Sequence, residues 1–420
     1  MAATLDRMAE TATPPPGIER SLRLLPWWWV LRWAWLGEAI WVVYLIEDRG
    51  LTLGQVLLLE AVVFGAVVVA EVPTGVIADR YTRRLSLLLG SLFSAVAFVV
   101  FGLASSIELL MGSYVLFAIG GALMSGADEA FLYDSLRAVG RSEEFAGVFG
   151  RFNARMTVGI AVFTVVGGLM VIWTPLSWPI VLSGVLALVA AGFALLLVEP
   201  PREPSDQSFL RIGRSAAGRI VRTRALRWIV VISAAVQGIE LVVFATFQPI
   251  LVGEGVPVWA LGWVAAGMML VAAAGGWSSW RVRQRFGLSR SLAVLPALAA
   301  LGVLGGASGM LWLFPVFTCA MFAREALHPL VVEYLSRRVP DGERATTLSV
   351  HQLAAWTATI GMSLGLGLVV DRVGLGTALA AASAVLVVIV VVAYLLWRSA
   401  GDRQSYPAGE RGGDIGAEAP

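Results

Sequence analysis

Glu38, Glu240, Arg324 and Glu325 each stand near the middle of a long apolar run, with Gln237 one helical turn from Glu240. A charged side chain at the centre of a bilayer costs about 2.5 to 3.5 kcal/mol on insertion scales, so each charge retained there is a functional candidate. A carboxylate in a medium of low dielectric constant needs a proton or a nearby cation. Such a group lets proton binding compete with a cationic substrate or a counter-charge. Arg324 and Glu325 are adjacent, about 100° apart around a helix, so they cannot both project straight into one opening. One of them is expected to pair sideways, and either Glu38 or Glu240 could serve as a structural partner of Arg324 instead. Trp35 and Trp41 lie three residues to either side of Glu38. Trp41 can share its helix face, and an aromatic flank of this kind suits a hydrophobic, cationic compound.

A second set of polar residues falls closer to the basic ends of the runs: Arg32, Glu71, Asp128, Glu129, Asn153, Arg155, His328 and His351. Glu71, Asp128, Glu129 and Arg155 are expected to form gate ion pairs around Arg83 and Arg84, with Arg32 pairing one of the acids. The two histidines titrate in the physiological range where solvent reaches them, although a lone histidine in a helix is more often simply hydrogen-bonded. Glu60 alone falls in the opposite third. Trp27, Trp28 and Trp29, at the start of the first run, read as interface anchors.

The elements that must position these residues follow from composition. The 420 residues are 58% hydrophobic and 14% charged, with a mean hydropathy of +0.79. Soluble domains run at about 45 to 50% apolar and about 25% charged, so a water-soluble enzyme is excluded. Apolar windows between polar breaks predict spans at 26–47, 53–78, 85–104, 109–132, 147–172, 178–198, 227–251, 258–280, 289–307, 311–335, 346–369 and 374–397. All 31 basic residues are Arg. Only Arg49 and Arg372 fall on one side of these spans; Arg32 and Arg324 lie within them, and the remainder fall on the other side or, like Arg151 and Arg155, at the basic end of a span. The positive-inside rule then places both termini in the cytoplasm and requires an even number of spans. No Lys means no Gly-x-x-x-x-Gly-Lys phosphate loop, so ATP coupling within this chain is excluded. One cysteine, Cys319, and two histidines cannot build a Cys- or His-rich metal site, and neither a metal nor a cofactor is expected. The acidic, Pro-rich start lacks the order of a cleaved signal peptide, so the first span should be retained.

A polar stretch opening with Glu199-Pro-Pro-Arg-Glu-Pro204 divides the chain. The expected organisation is a tail (1–25), a six-helix bundle (26–198), a linker (199–226) whose Arg spacing suits a helix on an anionic leaflet, a second bundle (227–398) and a disordered tail (399–420). The halves resemble each other faintly. A shift of 198 residues lays Asn153 on His351 and Gly167 on Gly365, and a shift of about 202 lays Glu38 on Glu240.

After the second span comes Gly75-Val-Ile-Ala-Asp79-Arg80-Tyr-Thr-Arg83-Arg84. This segment resembles the signature loop of the major facilitator superfamily, Gly-x-x-x-Asp-Arg-x-Gly-Arg-Arg, departing from it at Thr82. By that resemblance the chain is an all-α polytopic membrane protein with 12 transmembrane helices in two pseudo-symmetric six-helix bundles. Gly75, Asp79, Arg80, Arg83 and Arg84 then form a conformational latch between the halves. The resemblance also puts Glu38 and Glu240 on cavity-lining helices. Two other family signatures fit less well. Leu116 replaces the buried Arg of span four, and Phe163-Thr164 replaces the Gly-Pro of span five, although Gly159, Gly167 and Gly168 are kept. The Glu71-to-Gly75 lead-in and the Asp128-to-Ser135 stretch look like a bacterial branch of drug or metabolite exporters.

The function implied is secondary transport by alternating access, with proton-coupled antiport exporting a small amphipathic compound. The alternatives are a proton-coupled symporter importing a nutrient or metabolite, and a non-transporting sensor or lipid-moving protein on the same fold. Expected partners are the substrate, protons and the bilayer of the cell membrane. Neither nucleic acid nor an obligate protein partner is expected, and one chain supplies both halves of a pathway.

Overall fold

The computed structural model describes residues 17–80, 82–201 and 217–400; the side chains of 72–73, 75–80, 341–343 and 345 lie outside the description. Among these residues every regular element is helical, as a chain crossing hydrocarbon requires, because each backbone amide and carbonyl must find its partner inside the segment. We label them α1 (Ile18–Leu31), α2 (Leu53–Arg80), α3 (Arg83–Leu103), α4 (Ile107–Met124), α5 (Ala127–Ala138), α6 (Phe145–Met170) and α7 (Ser177–Leu196) in the first half of the chain. The second half contributes α8 (Arg224–Gln237), α9 (Ile239–Gly253), α10 (Leu261–Ala307), α11 (Phe314–Ser336), α12 (Asp341–Val373) and α13 (Leu375–Ser399). The expected linker helix and C-terminal tail fall largely outside the described residues.

Nine described stretches are long and apolar enough to span a bilayer, against the twelve predicted windows. The difference falls at three places. Val258–Ala307 counts once, at 50 residues, yet would be roughly 75 Å long as one helix, more than twice the hydrocarbon thickness. Its helix is interrupted at Gly287, whose φ of 70° and ψ of 166° reverse the backbone where a side chain would be strained. The helix α11 carries Arg324, Glu325 and Glu333 and so falls below the apolar threshold. The first predicted span is not one helix. It begins earlier, at Ile18, and breaks from Arg32 to Ile40 before a short turn at Trp41–Val43 and a π-helical turn at Tyr44–Asp48.

That break is held by side chains from elsewhere. The Gln248 amide donates from Nε2 to the Glu38 carbonyl (3.3 Å), and its Oε1 accepts from the amides of Val42 (3.0 Å) and Val43 (3.3 Å). Ser183 Oγ accepts from the Leu36 amide (2.9 Å). Backbone groups freed from the helix therefore stay satisfied without water. Opposite the break, Gly167 of α6 packs directly on the Leu36 carbonyl.

The named contacts between the halves lie toward the Arg-poor ends of the helices. Asp371 of α12 accepts from Thr52 Oγ1 (2.5 Å) and from the Gly54 amide (3.0 Å) at the start of α2, where the helix dipole favours a carboxylate. One and two turns deeper, Gly367 rests on the Gly54 carbonyl and Ser363 Oγ donates to the Leu57 carbonyl. A second seam joins α6 to α10. A Cβ on Gly168 would sit 2.9 Å from the Gly262 nitrogen, and one on Gly262 would sit 2.7 Å from the Thr164 carbonyl. Small residues are what let two backbones approach this closely. The core divides the same way. One apolar cluster combines residues 39–45, Val56 and Leu57 with α8, α9 and much of the second half. A separate cluster of Leu25, Trp28, Trp29, Phe131, Leu132 and Phe152 belongs to the Arg-rich end of the first half alone.

Candidate functional site

The break in the first span places Glu38 beside two other carboxylates, Glu60 of α2 and Glu240 of α9, close enough for their charges to interact. Among the described residues the Glu38 carboxylate has no cationic partner. Glu240 starts a helix of its own just after the interruption at Gly238, and its Oε2 pairs with Arg324 of α11 (2.7 Å). Arg324 also binds Glu325, so both of its terminal nitrogens are committed while its buried Nε has no partner. The adjacent Arg324 and Glu325 therefore pair with each other, as their 100° separation allows. Glu240 is 43% exposed at its side chain although protein surrounds it, which marks an internal opening at this level.

One turn along α11 from Arg324, His328 stacks on His351 of α12, with ring centroids 5.9 Å apart. His351 is buried and hydrogen-bonded through Nε2 to Ser233 Oγ of α8 (2.8 Å). Gln237 stands one turn from Ser233 on the same helix. Its buried Nε2 and the Nδ1 of His328 have no hydrogen-bond partner among the described residues. Glu240, Arg324, Glu325, His328 and His351 thus form one polar cluster in the second half, with the buried Gln237 one turn from Ser233, and Glu38 faces Glu240 from the first.

Two of the three tryptophans expected at the interface are not there. Trp28 and Trp29 are fully buried instead of anchoring the interface, and only Trp27, 62% exposed, stays at the surface. The reason is that α1 starts at Ile18, which carries these rings inward. Trp28 Nε1 donates to Ser91 Oγ (3.0 Å) and Trp29 Nε1 to Asn153 Oδ1 (3.2 Å). Trp35 packs against Trp41, Phe98 and Phe117 at 6.4, 5.8 and 6.3 Å between ring centroids, and Trp41 is buried. Their faces are engaged with one another.

At the Arg-rich end, Arg32 pairs with Asp128, both almost fully buried, and its guanidinium lies 4.6 Å from the Trp29 ring and 5.0 Å from that of Trp28. This matches the expectation that Arg32 finds one of the acids. The expected pairing of Glu71, Asp128, Glu129 and Arg155 with Arg83 and Arg84 is corrected. Arg83 reaches Asp134 and the Ala130 carbonyl (2.6 Å). Arg84 donates to the Leu195 carbonyl (2.7 Å), and Glu199 receives the Arg83 and Arg84 amides (2.8 Å each) at the start of α3. Asp134 lies nearly two turns beyond Asp128 on α5, and that places it, not Asp128, opposite Arg83. Arg155 and Glu129 are exposed, Glu71 is half-buried, and among the described residues none of the three is held in an ion pair. The side chains of Gly75, Asp79 and Arg80 lie outside the described residues. Nearer the surface, the Arg141 guanidinium binds Glu144 through two 2.7 Å hydrogen bonds and lowers that carboxyl's pKa. Sequence reasoning missed Gln248, Asp371 and the role of Glu60. The first two are polar residues near span ends that look solvent-facing until their partners are known.

A sequence profile of the Major Facilitator Superfamily matches residues 33–358. The chain belongs to that superfamily. It is therefore a multi-pass membrane transporter and not an enzyme. Among curated proteins of Bacillus subtilis (strain 168), the uncharacterized MFS-type transporter YxaM and Multidrug resistance protein 1 are each 28% identical to it over 130 residues, 31% of this chain. The match spans only 30% and 32% of those relatives' own lengths. Solved transporters share the fold along nearly the whole chain. The nucleoside transporter NupG superposes with a TM-score of 0.76 at 13% identity, covering 90% of this chain and 99% of that one. A bacterial homologue of the human lysosomal transporter Spinster gives 0.71 at 19%, covering 92% and 97%. A D-xylose–proton symporter gives 0.68 at 15%, covering 90% and 96%.

Proposed function

We propose that this superfamily member is a proton-coupled antiporter that exports a small amphipathic, cationic compound by alternating access, with Glu38 and Glu240 as the coupling carboxylates. The observation that carries the reading is the charge distribution at the break. Among the described residues Glu38 interacts with the charges of Glu240 and Glu60 and has no cation of its own, and the guanidinium of Arg324 is already shared by Glu240 and Glu325. A group so placed is neutralised by a proton or by a cationic ligand, and competition between the two is antiport. The likeness over 130 residues to Multidrug resistance protein 1 supports export. With the Arg-rich side read as cytoplasmic, the gathering of the named inter-half contacts at the Arg-poor ends supports reading this conformation as inward-facing. In this reading the signature loop latches the halves together in the opposite state, and one chain carries the full cycle.

The test uses everted membrane vesicles with an acid interior and a ΔpH-sensitive dye, challenged with cationic, neutral and anionic antibiotics. Collapse of the gradient by cationic compounds, absent with empty vector and with Glu38→Gln or Glu240→Gln at equal expression, is the expected result. Full coupled activity in both variants would remove the assignment, and accumulation of the compound by expressing cells would reverse the direction.

A further inference from the structure

The Gln248 carboxamide occupies a place that a backbone hydrogen bond holds in an ordinary helix. In an uninterrupted helix the Val42 amide would donate to the Glu38 carbonyl, four residues back. Here the two are bridged instead: Gln248 Oε1 accepts from Val42 (3.0 Å) and Val43 (3.3 Å), and its Nε2 donates to the Glu38 carbonyl (3.3 Å). Gln248 is fully buried and belongs to α9, so a side chain of the second half stands inside a helical turn of the first. The chain is suited to this crossing on both sides. Gly37, next to Glu38, lies where a Cβ would sit 2.5 Å from Trp35 Nε1 and 2.8 Å from Ile180 Cγ1, so the broken conformation has room for glycine only. Pro249 follows Gln248 and denies the Ala245 carbonyl its helical donor, which lets the Arg-poor end of α9 bend without losing a bond.

We propose that Gln248 is a positioning residue that ties the direction of Glu38 to the closure of the halves. With the Arg-poor end sealed, it holds the first span broken at Glu38. The three bonds cross from one half to the other, so parting of the halves at this end breaks them together. The Glu38 carbonyl and the Val42 amide are then left unpaired at a depth where no water serves them, and the nearest remedy for each is the other. Closing that bond winds the turn and rotates the Glu38 side chain about the axis of the span. The inference rests on the reading of Glu38 as a coupling carboxylate and adds the part that turns it when the open side changes.

The experiment uses the full-length protein in lipid nanodiscs, in a Cys319→Ala background. Spin labels at Ile172→Cys and Trp259→Cys read the Arg-poor seam, and hydrogen exchange of peptides covering residues 36–45 reads the turn. Gln248→Leu removes all three bonds and should raise the seam-open population roughly tenfold, while the Val42 amide stays protected because it gains the Glu38 carbonyl. Gly37→Ala keeps Gln248 but crowds the break against Ile180 and favours the helix, so it should shift the same equilibrium in the same direction, by severalfold. This second variant keeps the test decisive should Gln248→Leu fold poorly. A seam that stays closed in both variants overturns the proposal. So does exchange over residues 38–45 that rises severalfold in Gln248→Leu with the closed distance kept, because Gln248 then only plugs a permanent break. Neither readout needs a substrate or a proton gradient. A seam opened by both variants, alongside full vesicle coupling in Glu38→Gln, removes the antiport reading and leaves the winding switch standing; a closed seam alongside Glu38-dependent coupling does the reverse.

Discussion

The same helices are built differently at their two ends. At the Arg-poor end the halves meet through glycine and backbone: Gly54 with Gly367 and Asp371, Gly168 with Gly262, the Leu57 carbonyl with Ser363. At the Arg-rich end the ion pairs Arg32–Asp128, Arg83–Asp134 and Arg283–Glu333 each join residues of one half. Backbone contact through small residues is close-range and is lost within an ångström or two, so it suits a seam that is either shut or open. Charges act over longer distances and tolerate displacement, so they suit holding each half rigid while the halves move.

The comparison can be tested by substitution, beginning with the largest effect. Arg32→Gln leaves Asp128 buried without its cation, and unfolding of the purified protein should show a loss of about 3 to 5 kcal/mol. Combining it with Asp128→Asn should recover most of that loss. No loss would mean the pair is not structural. Gly168→Leu forces a side chain into the α6–α10 contact. An overpacking cost of about 1 to 3 kcal/mol on the sealed state should shift the conformational equilibrium roughly tenfold or more toward the open seam. Transport should fall accordingly while membrane insertion is kept, and normal transport would show that the seam need not close. Asp371→Asn removes the charge from the hydrogen bonds to Thr52 and Gly54, worth about 1 to 2 kcal/mol, and labelling of a cysteine placed at position 58, half-buried against Gly367, should become severalfold faster. Asp134→Asn should do least. Its pair with Arg83 is partly exposed and internal to the first half, worth less than about 1 kcal/mol, and seam labelling should not change. A shift equal to that of Asp371→Asn would mean that Asp134 also links the halves, which would break the distinction.

Much of this arrangement is legible in the sequence, because the bilayer allows few solutions. Apolar length indicates most of the membrane-spanning helices, and the Gly75-to-Arg84 segment indicates the superfamily. The charges that apolar runs cannot hide, Glu38, Glu240, Arg324 and Glu325, are candidates on energy alone, and the structure gathers them with Gln237, His328 and His351. The faint internal repeat is also visible in the contacts. Asn153 bridges α6 to Trp29 of α1, and His351 bridges α12 to Ser233 of α8.

The illegible parts depend on partners distant in the chain. The break at Arg32 to Ile40 has no proline to announce it and exists because Gln248 and Ser183 satisfy the freed backbone. Glu60 sits in the outer third by counting along its span, yet the break carries Glu38 toward it. Arg83 has several acids within plausible reach in sequence, and only the phase of α5 selects Asp134.

Alternation between two sealed states is the central claim, and one helix pair reports on both ends. In a Cys319→Ala background, spin labels at Ile172→Cys and Trp259→Cys read the Arg-poor end of α6 and α10, and labels at Arg151→Cys and Arg285→Cys read the Arg-rich end. Electron–electron distance distributions in lipid nanodiscs between pH 5.5 and 8.5 should change reciprocally, one pair lengthening as the other shortens, and Glu38→Gln should abolish the pH response. Distances that stay fixed at both ends, or that lengthen together, would contradict the account.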